Sequence, residues 1–277
     1  MAAFVFFLIA TSGVNTLLLP ASPVGITTPF SISKDAEAIF YNPANFEAQD
    51  NYQIWCSYNR FYLSMQSVSL ALTKKIKTFN MGIAFLNFDY GDIEWHPNYP
   101  SEDSLTYYSG NDFTIILGGS VPITTQGKIG VNLKYVSENI LIYSDYALAF
   151  DVSFTYVGTK AGISFGATNI GSKITINNED VNLPARISIG TFYDLKKFIP
   201  SFDIHYLVNT AAFEGGLGID IPVHKIANLN GAVLYREAPY PGFGLEIRPG
   251  KLIIKYAGAL YPQNLGLINT IGIGFEF

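Results

Sequence analysis

Only three histidines occur in the chain, His96 in an acidic stretch, His224 in a turn, and His205 on the inner face of a strand with Asp203. In an extended segment Asp203 and His205 share a face. A serine opposite them would supply a Ser, His and acid set, in which a third group orients the base. No nucleophile motif accompanies the pair, and inward polar residues are expected of many strands, so a non-enzyme is the expectation. A second chemistry is charge pairing. Lys134, Arg186 and Lys255 fall on the same strand faces as Asp151, Asp203, Glu214, Asp220, Glu246 and Glu276, with Lys128, Arg248 and Lys251 nearer segment ends. The two signs nearly balance. Charges at low dielectric must be paired or hydrogen-bonded, so most of these are expected in cross-strand ion pairs of a packed wall. A third chemistry is hard-cation binding. Asp89, Asp92, Glu94, Glu102, Asp103 and Asp112 occur close together with no Lys or Arg among them, and calcium takes oxygen ligands. EF-hand spacing is lacking, and a solvated loop is the expectation. Trp95, Tyr99, Tyr107 and Tyr108 in the same stretch suit an interfacial girdle. The single cysteine, Cys56, offers neither a disulfide nor a CxxC metal site. No metal and no cofactor is expected.

The elements that position these groups are strands. Tyr146, Leu148, Phe150, Val152, Phe154 and Tyr156 alternate with Ala147, Ala149, Asp151, Ser153 and Thr155. Ile129, Val131, Leu133 and Tyr135 alternate in the same way with Lys128, Gly130, Asn132 and Lys134. Similar segments recur about every 15 to 20 residues from Tyr52 onward, giving about fourteen strands. An even count suits a closed antiparallel barrel with both termini at the periplasmic end. Pro122–Gly127, Val157–Lys160 and Pro249-Gly250 read as short periplasmic turns, and Asp89–Asn111, Gly171–Pro184 and Gly258–Ile268 as longer outer loops. Lys74, Lys75, Lys77, Lys160, Lys196, Lys197 and Lys225 fall on the periplasmic side of that topology, and the acidic stretch falls on the outer side.

Composition agrees with a barrel in lipid. Of 277 residues, 49% are hydrophobic, 15% aromatic and only 14% charged, against roughly 25% charged in an ordinary soluble domain. From residue 30 onward no apolar run approaches the roughly 18 residues of a spanning helix. The remaining membrane solution is a closed barrel, in which every backbone group pairs between strands. A soluble sandwich would carry Lys, Glu and Asp on its outer faces; here the faces opposite the apolar ones carry many Gly, Ala, Ser and Thr, which suit a crowded lumen. A net charge of −5 disfavours nucleic acid as a partner. Met1–Ala10 is short and apolar and resembles a secretory signal, although the first charge in the chain is Lys34 and the usual basic n-region is missing.

The segment before the first strand, Lys34-Asp-Ala-Glu-Ala-Ile-Phe-Tyr-Asn-Pro-Ala-Asn45, resembles an element of the FadL and PorV/PorQ families of outer-membrane proteins. Asn45 stands where the family usually has Gly. Ala167-Thr-Asn-Ile-Gly-Ser-Lys173, Leu183-Pro-Ala-Arg-Ile-Ser-Ile-Gly190 and Gly242–Phe277 look like the PorV/PorQ group. The resemblance implies an all-β transmembrane antiparallel barrel of about 14 strands with a short N-terminal plug segment in the lumen. It divides the chain into a signal peptide or remnant at 1–15, a plug at 16–51 and a barrel at 52–277. Locally the motif reads as a short helical turn, capped by Asp35 or Ser33 and stopped at Asn42-Pro43; a plain turn before the first strand is the other local reading. The chain ends Asn269-Thr-Ile-Gly-Ile-Gly-Phe-Glu-Phe277, where Phe275 and Phe277 resemble the assembly signal of outer-membrane proteins. Glu276 is expected to face the lumen near Lys251 or Lys128. The resemblance puts first an accessory or binding role in protein export of the type IX kind. A FadL-like transporter of hydrophobic small molecules is the alternative, and a purely structural barrel the third. The expected partners are outer-membrane lipid, the barrel-assembly machinery, and secretion components or exported proteins.

Overall fold

The computed structural model describes residues 14–46, 52–95, 106–261 and 266–277. The strands are β1 (Tyr52–Arg60), β2 (Gln66–Ile76), β3 (Phe79–Asp89), β4 (Ile93–Trp95), β5 (Thr106–Tyr108), β6 (Gly110–Pro122), β7 (Gly127–Ile140), β8 (Tyr143–Val157) and β9 (Ala161–Gly171). They continue with β10 (Lys173–Ile176), β11 (Glu179–Asn182), β12 (Arg186–Tyr193), β13 (Ile199–Leu207), β14 (Ala212–His224), β15 (Ala227–Arg236), β16 (Ala238–Ile247), β17 (Leu252–Tyr261) and β18 (Gly266–Glu276). Fourteen of these close an antiparallel barrel, as the alternation predicts. Two hairpins, β4–β5 and β10–β11, stand outside it; neither was expected, because each replaces part of what reads as an irregular outer loop. Asn177 and Asn178, both at positive φ, make the tight turn of the second hairpin.

Closure is made by β1 against β18, with Gln53 opposite Glu276 and Arg60 opposite Asn269. The Phe277 N–H donates to the Tyr52 carbonyl at 2.9 Å, so the ladder runs to the last residue. The exterior is apolar along every barrel strand: Ile54, Leu70, Leu133, Leu148, Ile187 and Leu217 are all exposed. Such a belt is stable only against hydrocarbon. Aromatic residues rim it. Phe85, Phe113, Tyr135 and Tyr146 stack across adjacent strands with ring centroids 6.3, 5.7 and 5.4 Å apart, and Phe275 meets Phe277 at 5.0 Å at the end where the termini of the barrel lie. The protein is an outer-membrane β-barrel. No helix among the described residues is long and apolar enough to cross a membrane.

Residues 14–46 thread the lumen as short helical turns, Asn15–Leu17, Pro23–Ile26, Pro29–Ile32 and Ala36–Phe40, joined by irregular chain. Irregular backbone carries unpaired polar groups that must be satisfied, and the small polar residues of the inner wall satisfy them. The Ala21 carbonyl accepts from Ser57 and Ser69 Oγ, each at 2.7 Å. Ile39 O accepts from Asn132 Nδ2 at 2.9 Å, and the Ala44 N–H donates to Ser153 Oγ at 2.8 Å. Wall glycines admit the segment's bulk: a Cβ on Gly130 would lie 2.0 Å from the Pro43 carbonyl carbon. Met1–Ala10, with the rest of residues 1–13, lies outside the described residues, as do His96, Tyr99, Glu102 and Asp103 of the acidic stretch.

Candidate functional site

The plug motif does not use its residues as capping chemistry predicts. Asp35 stands before the Ala36–Phe40 turn at φ 63° with no side-chain cap bond; its carboxylate instead accepts from Arg248 Nη2. A charged partner on the wall outcompetes a backbone N–H. Asn42 donates to the Phe30 carbonyl at 2.8 Å and its Oδ1 accepts from the Ala44 N–H at 3.1 Å, tying the turn to the preceding segment, with Pro43 packed onto Gly130.

Around that turn the wall and the plug share one ion-pair network. Lys255 binds Glu37, which is fully buried, and Glu246 at 3.0 Å. Arg248 joins Asp35 to Glu246, and Ser22 Oγ donates to Glu37 at 2.7 Å. Burial works against ionisation of Asp35, but the charges of Lys255 and Arg248 outweigh it and hold the carboxyl below its usual range. For Glu37 burial is the larger influence, and it pushes the carboxyl up despite Lys255.

The other inner-wall charges divide between ion pairs and hydrogen bonds. Lys134 meets Asp151 at 2.8 Å and Asn169 Oδ1 at 2.7 Å. Their geometry comes from a register shift opposite Asp151, where Asn169 takes a positive φ of 58° and so turns its amide inward, as a bulge does. Arg186 and Arg236 both pair with Glu214. Three carboxylates depart from the expected ion pairing: Asp203 accepts the Phe30 N–H at 2.7 Å, Asp220 takes Asn230, and Glu276 accepts from Gln53 Nε2 at 3.3 Å. The plug backbone supplies the donor to Asp203, and wall amides on the adjacent strands supply those to Asp220 and Glu276. Asp112, assigned to an acidic outer loop, is instead buried in β6 and accepts from the Asn15 N–H at 2.8 Å and from Tyr90 OH at 2.9 Å. His205 Nδ1 lies 2.8 Å from Ser188 Oγ. Asp203 does not orient that histidine, since one carboxylate oxygen is bonded to Phe30 and the other has no partner. Among the described residues no cluster of His, Cys, Asp and Glu could hold a metal.

Between the luminal segment and the barrel wall lies a cavity of about 150 Å³. Leu17, Leu18, Leu19, Leu86 and Ile116 line one side, and Arg186, His205, Glu214, Arg236, Tyr240 and Tyr261 the other. This corrects the expectation of a filled lumen: the segment reaches the outer half of the barrel, where Val14 and Leu17 pack with Ile174 and Leu183, yet a space remains between it and the wall. Tyr240 and Tyr261 of the lining meet with ring centroids 5.1 Å apart, and Tyr62, in the turn after β1, lies 5.6 Å from Tyr261. Arg236 and Glu37 had not been singled out. Continuing the alternation Ala232, Leu234, Arg236 finds the first; nothing in the motif marks Glu37 as the partner of a lysine more than two hundred residues away.

Solved structures with the same architecture include the toluene transporter TbuX of Ralstonia pickettii. It is 11% identical, with 94% of this chain and 99% of that one covered and a TM-score of 0.69. The P. putida toluene transporter TodX is 10% identical over 93% of this chain and 98% of its own, with a TM-score of 0.67. The chain has a FadL-like barrel fold. A Pseudomonas aeruginosa FadL homologue is likewise 10% identical, with 93% and 98% covered and a TM-score of 0.62. No protein-family model and no curated protein matches the chain. Nothing in these FadL-like likenesses supports the narrower PorV/PorQ resemblance. The expected role in protein export is overturned, because the barrels that share this fold are described as transporters of small hydrocarbons.

Proposed function

We propose that this chain is a non-enzymatic, FadL-like transporter that carries small hydrophobic molecules across the outer membrane. The observation that carries the reading is the cavity of about 150 Å³ beside the plug, with a leucine-rich side and two tyrosines, Tyr240 and Tyr261, in its lining. An apolar space of about that size accepts a benzene-sized molecule, and pockets of mainly apolar lining with few polar groups are the usual small-molecule sites. The described toluene transporters support the choice of ligand class. In this reading the apolar belt takes outer-membrane lipid, and Phe275 and Phe277 serve the barrel-assembly machinery.

Equilibrium binding of toluene to the purified, folded barrel tests the function. Saturable binding is expected, and Leu86→Trp, which extends a ring into the cavity from a buried position, is expected to weaken it roughly tenfold by overfilling the space. Absence of saturable toluene binding would overturn the proposal.

A further inference from the structure

We propose that the periplasmic rim of the barrel is a binding surface for anionic phospholipid headgroups, held by lysines that its turns carry around the whole circumference. The inference is independent of what the cavity holds.

Six hairpin turns lie at the end where the termini of the barrel meet: β2–β3, β6–β7, β8–β9, β12–β13, β14–β15 and β16–β17. Five of them present exposed lysines, namely Lys77, Lys160, Lys196 with Lys197, Lys225 and Lys251. These six lysines make no ion pair among the described residues. Asp194 is the one acid in these turns, and it accepts the Lys196 N–H at 2.6 Å. Glu246 and Glu276 of the adjoining strands face the lumen and are bonded there. Glu47 and Asp50, which precede β1 in the chain, add two acids at most, so the lysines stay in excess. The other end has the opposite sign. Asp92, Glu179, Asp180 and Glu237 are exposed there against Arg60 and Lys173, and Lys173 is paired with Asp180 at 3.4 Å.

Charge alone would suit an acidic protein as well as a lipid, and two features choose the lipid. The first is the spread of the lysines. A folded partner covers one arc of a rim, whereas a leaflet surrounds a barrel on every side. The second is what flanks them. Ile76 and Phe79 stand about Lys77, Leu195 and Phe198 about Lys196 and Lys197, and Val223 and Ile226 about Lys225, all of them exposed. At a headgroup boundary such apolar side chains enter the acyl region, while a lysine stem runs beside them and its ammonium reaches the phosphates. Lys74 and Tyr52 mark that level on the outer face: Lys74 Nζ donates to Tyr52 OH at 2.8 Å and lies 4.1 Å from the ring centre, and tyrosine is enriched at membrane interfaces. Phosphatidylglycerol brings a net negative charge to the ring, whereas phosphatidylcholine carries its own cation, so a ring of unpaired lysines discriminates between them.

Spin-label electron paramagnetic resonance tests the assignment on the full barrel in phosphatidylcholine vesicles, with trace labelled phosphatidylglycerol or phosphatidylcholine reporting the lipid held at the protein surface. Wild type is expected to hold the phosphatidylglycerol label roughly threefold more strongly, with the preference fading as salt screens the ring. Replacing all six lysines by Gln should bring the two labels to parity. Two half-ring variants, Lys196→Gln/Lys197→Gln/Lys225→Gln and Lys251→Gln/Lys77→Gln/Lys160→Gln, should each keep part of the preference, and they decide the question if the sixfold variant does not fold. Heat-modifiable mobility in gels shows which variants are folded. Arg60→Gln/Lys173→Gln, at the other end, should leave the preference unchanged. Equal retention of the two labels by wild type overturns the proposal. So does a preference that survives in both half-ring variants undiminished, that one half-ring variant alone abolishes, or that Arg60→Gln/Lys173→Gln removes.

Discussion

Lys255 is the residue on which the seating of the luminal segment turns. Its ammonium lies between Glu37 of the plug and Glu246 of the wall, 5.6 Å from the Trp55 ring centre. A buried pair contributes little net stability when intact, yet breaking it leaves an uncompensated charge and costs about 3–5 kcal/mol. Lys255→Met is therefore expected to lower unfolding stability by about 3–5 kcal/mol, read from Trp55 fluorescence in a urea titration of barrel refolded into vesicles. The double variant Lys255→Met/Glu37→Gln removes both charges and should recover most of the loss. A double variant no more stable than the single one would show that Glu37 is not the partner that matters. At this scale sequence reasoning placed Lys255 on the inner face but not its partner, since the partner's position depends on how the plug threads the lumen.

At the scale of elements, the decisive one is the closing strand. β18 pairs with both β1 and β17, so every inward residue on it meets two neighbours. Glu276 faces Gln53 across the seam, and the Gln53 Oε1 already accepts the Ala36 N–H of the plug at 2.6 Å. A cation at 276 would lose its donor partner and compete for an oxygen that the plug uses. Glu276→Lys is expected to reduce the yield of heat-modifiable barrel severalfold, while Thr270→Ser, a buried change that keeps the hydroxyl, should assemble normally. Equal yields of the two variants would argue against the seam as the place where closure is decided. The inward face was legible in the alternation of Ile271, Ile273 and Phe275 with Gly272, Gly274 and Glu276, because a slip of one residue would turn that apolar face into the lumen; the pairing of Glu276 with Gln53 was not.

For the whole molecule, the consequence is a barrel that is neither an open pore nor a solid plug. The segment 14–46 runs through the lumen from the outer half to the end near the termini, and the cavity lies between it and a wall that includes Tyr240 and Tyr261. Planar-bilayer recordings of the purified protein are expected to show no large steady conductance, as no wide aqueous lumen of the porin kind remains. A steady porin-like conductance would contradict the seated segment. Small molecules would then have to pass by displacements of the plug, which fits a structure whose luminal chain is held by side-chain bonds rather than by the ladder.

The sequence by itself determined the barrel, the approximate number of its strands, the face that the closing strand turns inward and the separation of lysine-rich turns from the acidic end. Each of these follows from a period of two and from turn chemistry, which are local properties. It also exposed Lys134, Arg186, Glu214 and Lys255 as inward charges. Only the tertiary structure decided which of them meet, that Asp35 serves Arg248 rather than a helix end, and that space remains beside the plug. Those outcomes depend on an irregular segment crossing a closed lumen and touching strands far apart in the chain. No periodicity records such a path, because its geometry is set by the wall around it.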